Sequence, residues 1–247
     1  MDISQIWASA FEAANLLAAY PLQWFLLVIV FLIVAEGVMF IPYVGFTLKL
    51  FLASVLAAQA LLLFADASAS QTPPITKLFG AFWLPASAQF TLFAAAALPF
   101  LIGLVYLFVR SGVPAIAFFF GNILKVRPPS PELFMRFKFV MHLSSMPFTF
   151  LAGAVVLKGW SGWAAVSAAI SMAVSNWLAL VVLLIFALCF EGLMAAIPKE
   201  LPKTVGAPVV GVLLVLYVAW SFAFGYVLSA RALADVPSQV APPIQRQ

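Results

Sequence analysis

Glu36 is the only charged residue in the apolar run LQWFLLVIVFLIVAEGVMFI, Leu22 to Ile41. A carboxylate in such surroundings is expensive, so it either pairs with a cation or serves as an ion or proton site. Lys49 lies about as far beyond the Pro42–Tyr43 turn as Glu36 lies before it. If the two flanking runs are antiparallel helices, the two charges meet at one depth as a structural ion pair. The competing reading is a proton- or cation-binding carboxylate in a transporter. A second acid, Glu191, stands close to Lys199, Glu200 and Lys203, where interfacial solvation is expected. His142 is the only histidine, four residues from Lys138 and three from Ser145. No second His, Cys or carboxylate stands at ligand spacing from it, so it offers no metal site and reads as a hydrogen-bonding group at a bundle end, with proton shuttling as the lesser reading.

Ser167, Ser171 and Ser175 recur every fourth residue, with Ala164, Ala168 and Asn176 nearby. On a membrane helix such a stripe predicts a small-residue packing face inside the bundle, with Asn176 seeking an interhelical partner, or else a polar lining for a substrate path or a surface for another subunit. Nucleophilic and metal-dependent chemistry lack their motifs: the chain has no GxSxG, no HExxH and no glycine-rich nucleotide loop. Asp2, Asp66 and Asp235 all fall in loops or tails, which removes the paired intramembrane aspartates of one class of protease. No enzyme activity and no cofactor are expected.

The elements that position these residues follow from composition. The chain has 247 residues, 66% hydrophobic and 8% charged, where soluble domains carry about 25% charged residues. A bilayer core of about 30 Å calls for about 20 apolar residues in a helix, and the continuous rather than alternating hydrophobicity excludes a transmembrane β-barrel. The predicted fold class is all-α: one polytopic transmembrane helical bundle over 1–232, with spans at about 22–41, 47–64, 89–109, 139–157, 174–193 and 209–230, and a disordered tail over 233–247.

Residues 1–20 carry Asp2 and Glu12 and no Lys or Arg, unlike the basic start of a secretory signal. They read as an interfacial helix with Ile6, Trp7, Phe11 and Leu16 along one side. Ile75 to Trp83 reads as a second interfacial helix. The stretch from Trp163 to Ile197 has no breaker and exceeds one bilayer, so it is a tilted span or an interfacial lead-in followed by a span. Pro99 and Pro147 interrupt the third and fourth spans. Cys189 is a lone thiol in an apolar run, with no disulfide to make.

The net charge of +4 is scattered, with no basic block of the kind that binds nucleic acid. On the side of the termini stand Lys77, Lys158, Arg231 and Arg246. On the other stand Lys49, Arg110, Lys125, Arg127, Arg136, Lys138, Lys199 and Lys203. The positive-inside rule places the richer side in the cytoplasm and both termini outside. The long connection Ser111 to Lys138 sets Phe118, Phe119 and Phe120 beside Lys125, Arg127, Arg136 and Lys138. Apolar residues beside cations suit a segment in the headgroup layer, or a docking face for another membrane subunit.

Ile-Pro-Tyr-Val-Gly (Ile41 to Gly45), followed after a polar loop by Lys-Leu-Phe-Gly-Ala-Phe (Lys77 to Phe82), resembles the six-helix bacterial inner-membrane families described only as domains of unknown function. These include the BPSS-type family and relatives of the glycerophosphodiester phosphodiesterase membrane domain. The likeness implies a bacterial inner-membrane bundle and brings no catalytic residues. Taken together, the residues predict a non-enzymatic accessory, scaffold or partner-binding subunit in contact with lipid and another membrane protein. The alternatives are a small transporter or channel-like protein using Glu36, and a polytopic immunity protein against a membrane-targeting toxin.

Overall fold

The computed structural model describes residues 1–69, 80–120, 129–200, 202–234 and 236, without the side chains of residues 115, 198–200 and 203. Among them the chain is helical throughout: α1 (Ile3–Ala19), α2 (Pro21–Gly37), α3 (Gly45–Ser68), α4 (Ala86–Ser111), α5 (Val113–Phe120), α6 (Pro131–Ser145), α7 (Leu151–Lys158), α8 (Gly162–Ser175), α9 (Trp177–Glu200) and α10 (Lys203–Ala232). Six stretches are long and apolar enough to cross a membrane: Pro21–Phe40, Gly45–Ser68, Ala86–Ser111, Pro131–Lys158, Trp177–Ile197 and Thr204–Ala232. The protein is an all-α polytopic bundle. Helices satisfy their own backbone in lipid, which is why apolar runs of this length take no other form there.

α3 is the hub and packs against α2, α4, α7 and α10. It is paired to α2 by a tight turn. Pro42 fixes its own φ, Tyr43 takes the left-handed conformation (φ 66°), and Gly45 sits so close to the Val38 and Met39 carbonyls that a Cβ has no room. Toward the other end of α3, Phe64 is fully buried and stacks on Trp24 of α2, ring centroids 3.9 Å apart. Gln59, also buried, accepts from the Ala81 N–H at 2.6 Å and ties the chain down ahead of α4. α4 continues through Pro99 without a break. It lies along α6, and Gly103 lets the Phe137 ring approach; a Cβ there would stand 2.6 Å from the ring.

Several boundaries depart from the sequence expectation. The fourth span begins at Pro131, capped by Ser130, rather than at residue 139, so Arg136 and Lys138 lie on the span and not in a connecting loop. This span is two helices, α6 and α7, joined by a 3-10 turn at Met146–Phe148. Pro147 supplies no N–H there, so the break falls where a hydrogen bond was already missing. The last span begins at Lys203 rather than 209, with Pro208 inside α10. A proline so near a helix start removes a single ladder bond. The stretch Trp163 to Ile197 does break, at Asn176 (φ −119°, ψ 29°), so α8 is the lead-in and α9 the span, from 177 rather than 174. The expected interfacial segment 75–83 lies mostly outside the described residues.

α1 is anchored differently from its sequence pattern. Ile6, Ser9 and Ala13 are buried, while Trp7 and Phe11 are exposed. The buried side packs along α10. Small residues allow that close approach, and the larger aromatics are left outward.

Candidate functional site: the charged seam between α6 and α9

The ionisable groups that come together inside the spans are not only the pair singled out first. On α6, Lys138 and His142 are one helical turn apart and share a face. On α9, Glu191 points at both. Its Oε1 lies 3.2 Å from His142 Nε2 and 3.4 Å from Lys138 Nζ. A carboxylate can only accept, so His142 donates from Nε2 and leaves Nδ1 as the position for a further proton. The other carboxylate oxygen, Oε2, is buried without a hydrogen-bond partner. Lys138 is steadied from the opposite side, its Nζ 5.3 Å from the Phe134 ring centre.

Local structure explains the aim of each group. Ser130 caps α6 by accepting from the Leu133 N–H, and Pro131 opens the helix. This fixes the register that puts Lys138 and His142 toward α9. Glu132 at the helix start pairs with Arg136 at 2.6 Å along the same helix, so that cation is not offered to α9. Ser144 and Ser145 donate to backbone carbonyls within α6, Ser145 to that of His142 itself. Their hydroxyls are therefore not arranged as nucleophiles beside the imidazole. On the far side of α9, Phe190 stacks on Tyr217 of α10 at 3.8 Å and Phe186 meets Trp220 at 4.6 Å. α9 is thus held by aromatic faces on one side and by charge on the other.

Glu36 and Lys49 do meet, Nζ to Oε1 at 2.6 Å, joining α2 to α3. The Glu36 side chain is 61% exposed and lies one turn from the end of its span. That is the place of a bolt at the turn rather than of a site near the midplane. A third interhelical pair, Arg231 to Glu12 at 2.7 Å, fastens α10 to α1, and Arg231 also donates to the Gln5 carbonyl at 3.1 Å.

The serine stripe is a correction. Ser167, Ser171 and Ser175 are all exposed, and the Ser167 hydroxyl donates back to the Ala164 carbonyl. The buried face of α8 is Ala165, Ala169, Met172 and Ala173, a neighbouring small-residue stripe. Alanine packs against a neighbour without a polar group to satisfy, and serine can satisfy itself on its own helix, so the alanines turn inward. Asn176 is buried, but its partners are the Met172 carbonyl at 2.9 Å and the Met1 ammonium at 3.1 Å, not another span.

The proposed cationic face is also redistributed. Lys125 and Arg127 lie outside the described residues. Arg136 is taken by Glu132 and Lys138 by Glu191, so these two do not form one free surface. Phe119 is buried in a second, aromatic core with Phe46, Phe100 and Phe137. α5 therefore packs onto the bundle through Phe119.

Sequence reasoning missed Glu191 because its partners are 49 and 53 positions away. The usable signal was that Glu191, Lys138 and His142 all stand inside or beside apolar runs, where an unpaired charge is costly. Among the described residues no group of three or more His, Cys, Asp and Glu side chains could hold a metal ion. No protein-family model, curated protein or solved structure matches this chain.

Proposed function

We propose that this protein is a non-enzymatic accessory or partner-binding subunit of a bacterial inner membrane, in the manner of the six-helix families its Ile41–Gly45 and Lys77–Phe82 motifs resemble. The observation that carries this reading is the use of its intramembrane charges. Glu36, Glu132 and Glu191 are each given to a cation of the same protein. Two of these contacts join one span to another. Charges committed to holding helices together specify a scaffold geometry, and a paired buried charge is costly to uncouple. The exposed end position of Glu36 speaks against a transporter built on that residue. A polytopic immunity protein would be one form of the same partner-binding activity.

The test is capture of the tagged protein from native membranes into nanodiscs, with crosslinking before extraction, alongside proteoliposomes loaded with a pH dye. Stoichiometric recovery of one other membrane protein, with no proton or cation flux, is the expected result. Flux that is lost in Glu36→Gln or Glu191→Gln would replace this reading with transport. For orientation, a cysteine placed at Trp163 should react with an impermeant maleimide from outside and one at Ser130 should not. The reverse pattern would invert the topology and leave the fold unchanged.

A further inference from the structure

The geometry points to the α6–α9 seam as a proton-operated latch, with a proton on His142 as its ligand and the position of α9 as its output. This goes beyond the partner-binding reading and does not depend on it, because it is read on the purified protein.

Three observations converge. First, Glu191 faces two basic groups through one oxygen, while its second oxygen is buried and unpartnered. With a neutral imidazole the cluster holds one negative and one positive charge. A proton on Nδ1 gives the carboxylate a second cation to face, and a ring or ammonium shift toward Oε2 would satisfy the orphaned acceptor. Charge-assisted hydrogen bonds of this kind are about twice as strong as neutral ones. Second, histidine is the side-chain type that changes charge near neutral pH, and few charged or titratable groups face His142. Lys138 is on its own helix and Glu191 on α9. From α10 the titratable neighbour of Glu191 is Tyr217, bonded to Ser221. On α4 the ionisable side chains are Tyr106 and Arg110, which lie against each other. Third, α9 is the least buried of the spans, its aromatic stacking being confined to α10. Only 11% of its apolar window is buried, the smallest share of the six, and the chain breaks at Asn176 where α9 leaves α8. α6, by contrast, is locked to α4 through Gly103 and Phe137.

The first turns of α6 lie ahead of His142, and the imidazole itself is partly exposed on the outside of the bundle.

The test uses Cys189, the native thiol of α9, which is exposed, and a second label at Val105→Cys on the outer face of α4. Spin-label distances are measured in nanodiscs at pH 8 and pH 5.5. The expected result is a distribution that narrows and shortens on acidification. His142→Gln keeps a hydrogen-bond donor but cannot take the proton, and should show one distribution at both pH values. Glu191→Gln should be broad at both. Identical wild-type distributions at the two pH values would overturn the latch, as would a pH response that survives His142→Gln. The His142→Gln variant keeps a donor toward Glu191, so the result does not hang on Glu191→Gln reaching the membrane.

Discussion

α3 and α9 are the same length, 24 residues each, and α9 is the more apolar. Yet half of the α3 window is buried against 11% for α9. Hydropathy therefore states which helices enter the membrane and says nothing about which becomes the hub. In lipid, an apolar side chain gains little by moving from tails to protein, so position is decided by close packing and by where polar groups find partners. α3 has the turn glycine, the alanines and the buried Gln59 that let neighbours close in. α9 has large aliphatics facing outward and is tethered by Glu191 and by the stacking of Phe186 and Phe190 on α10.

The sharpest way to break this comparison is core truncation. Phe64→Ala on α3 removes a ring stacked on Trp24 and should cost about 3–5 kcal/mol, measured by unfolding in mixed micelles. Ile185→Ala on α9, 56% exposed, should cost less than about 0.5 kcal/mol. Equal losses would show that α9 is as integral as α3.

A glycine pair sharpens the contrast. A Cβ at Gly153 of α7 would lie 2.5 Å from the Ser229 Cβ of α10, so Gly153→Ala should destabilise by about 1–3 kcal/mol. A Cβ at Gly192 of α9 meets nothing within 4 Å. Gly192→Ala should be neutral or add up to about 1 kcal/mol through helix propensity.

The ion pairs differ in the same sense as their surroundings. Glu191 is 17% exposed and Glu36 61%. Glu191→Gln should cost about 2–3 kcal/mol by leaving the Lys138 charge uncompensated. Glu36→Gln should cost at most about 1 kcal/mol, and adding Lys49→Met should recover part of it. A larger loss at Glu36 would make the α2–α3 turn the critical clamp.

The smallest effect belongs to the start of α1. The Gln5 N–H and, behind it, the Ser4 hydroxyl bond to the Asp2 carboxylate and hold its pKa below the ordinary 3.8. A lowered folded pKa means the cap contributes above pH 3.8 and is lost as pH falls through the folded value. Acidification toward pH 3 should fray the start of α1, seen as faster amide exchange over residues 3–7.

The apolar runs of 20 or so residues and the proline-glycine turns determined that this is a six-span helical protein, because a bilayer leaves an unbroken apolar segment no other way to satisfy its backbone. The meeting of Glu36 with Lys49 was legible for the same local reason: a short turn makes positions equidistant from it neighbours. The tertiary structure alone decided that Glu191 belongs to Lys138 and His142. It alone decided that the alanines of α8 face inward beside outward serines, and that α3 rather than the more apolar α9 is the hub. Those outcomes depend on which helices become neighbours and at what rotation. In a membrane, where every helix is apolar on nearly all sides, periodicity does not encode a rotation, and packing with the few polar partners has to choose it.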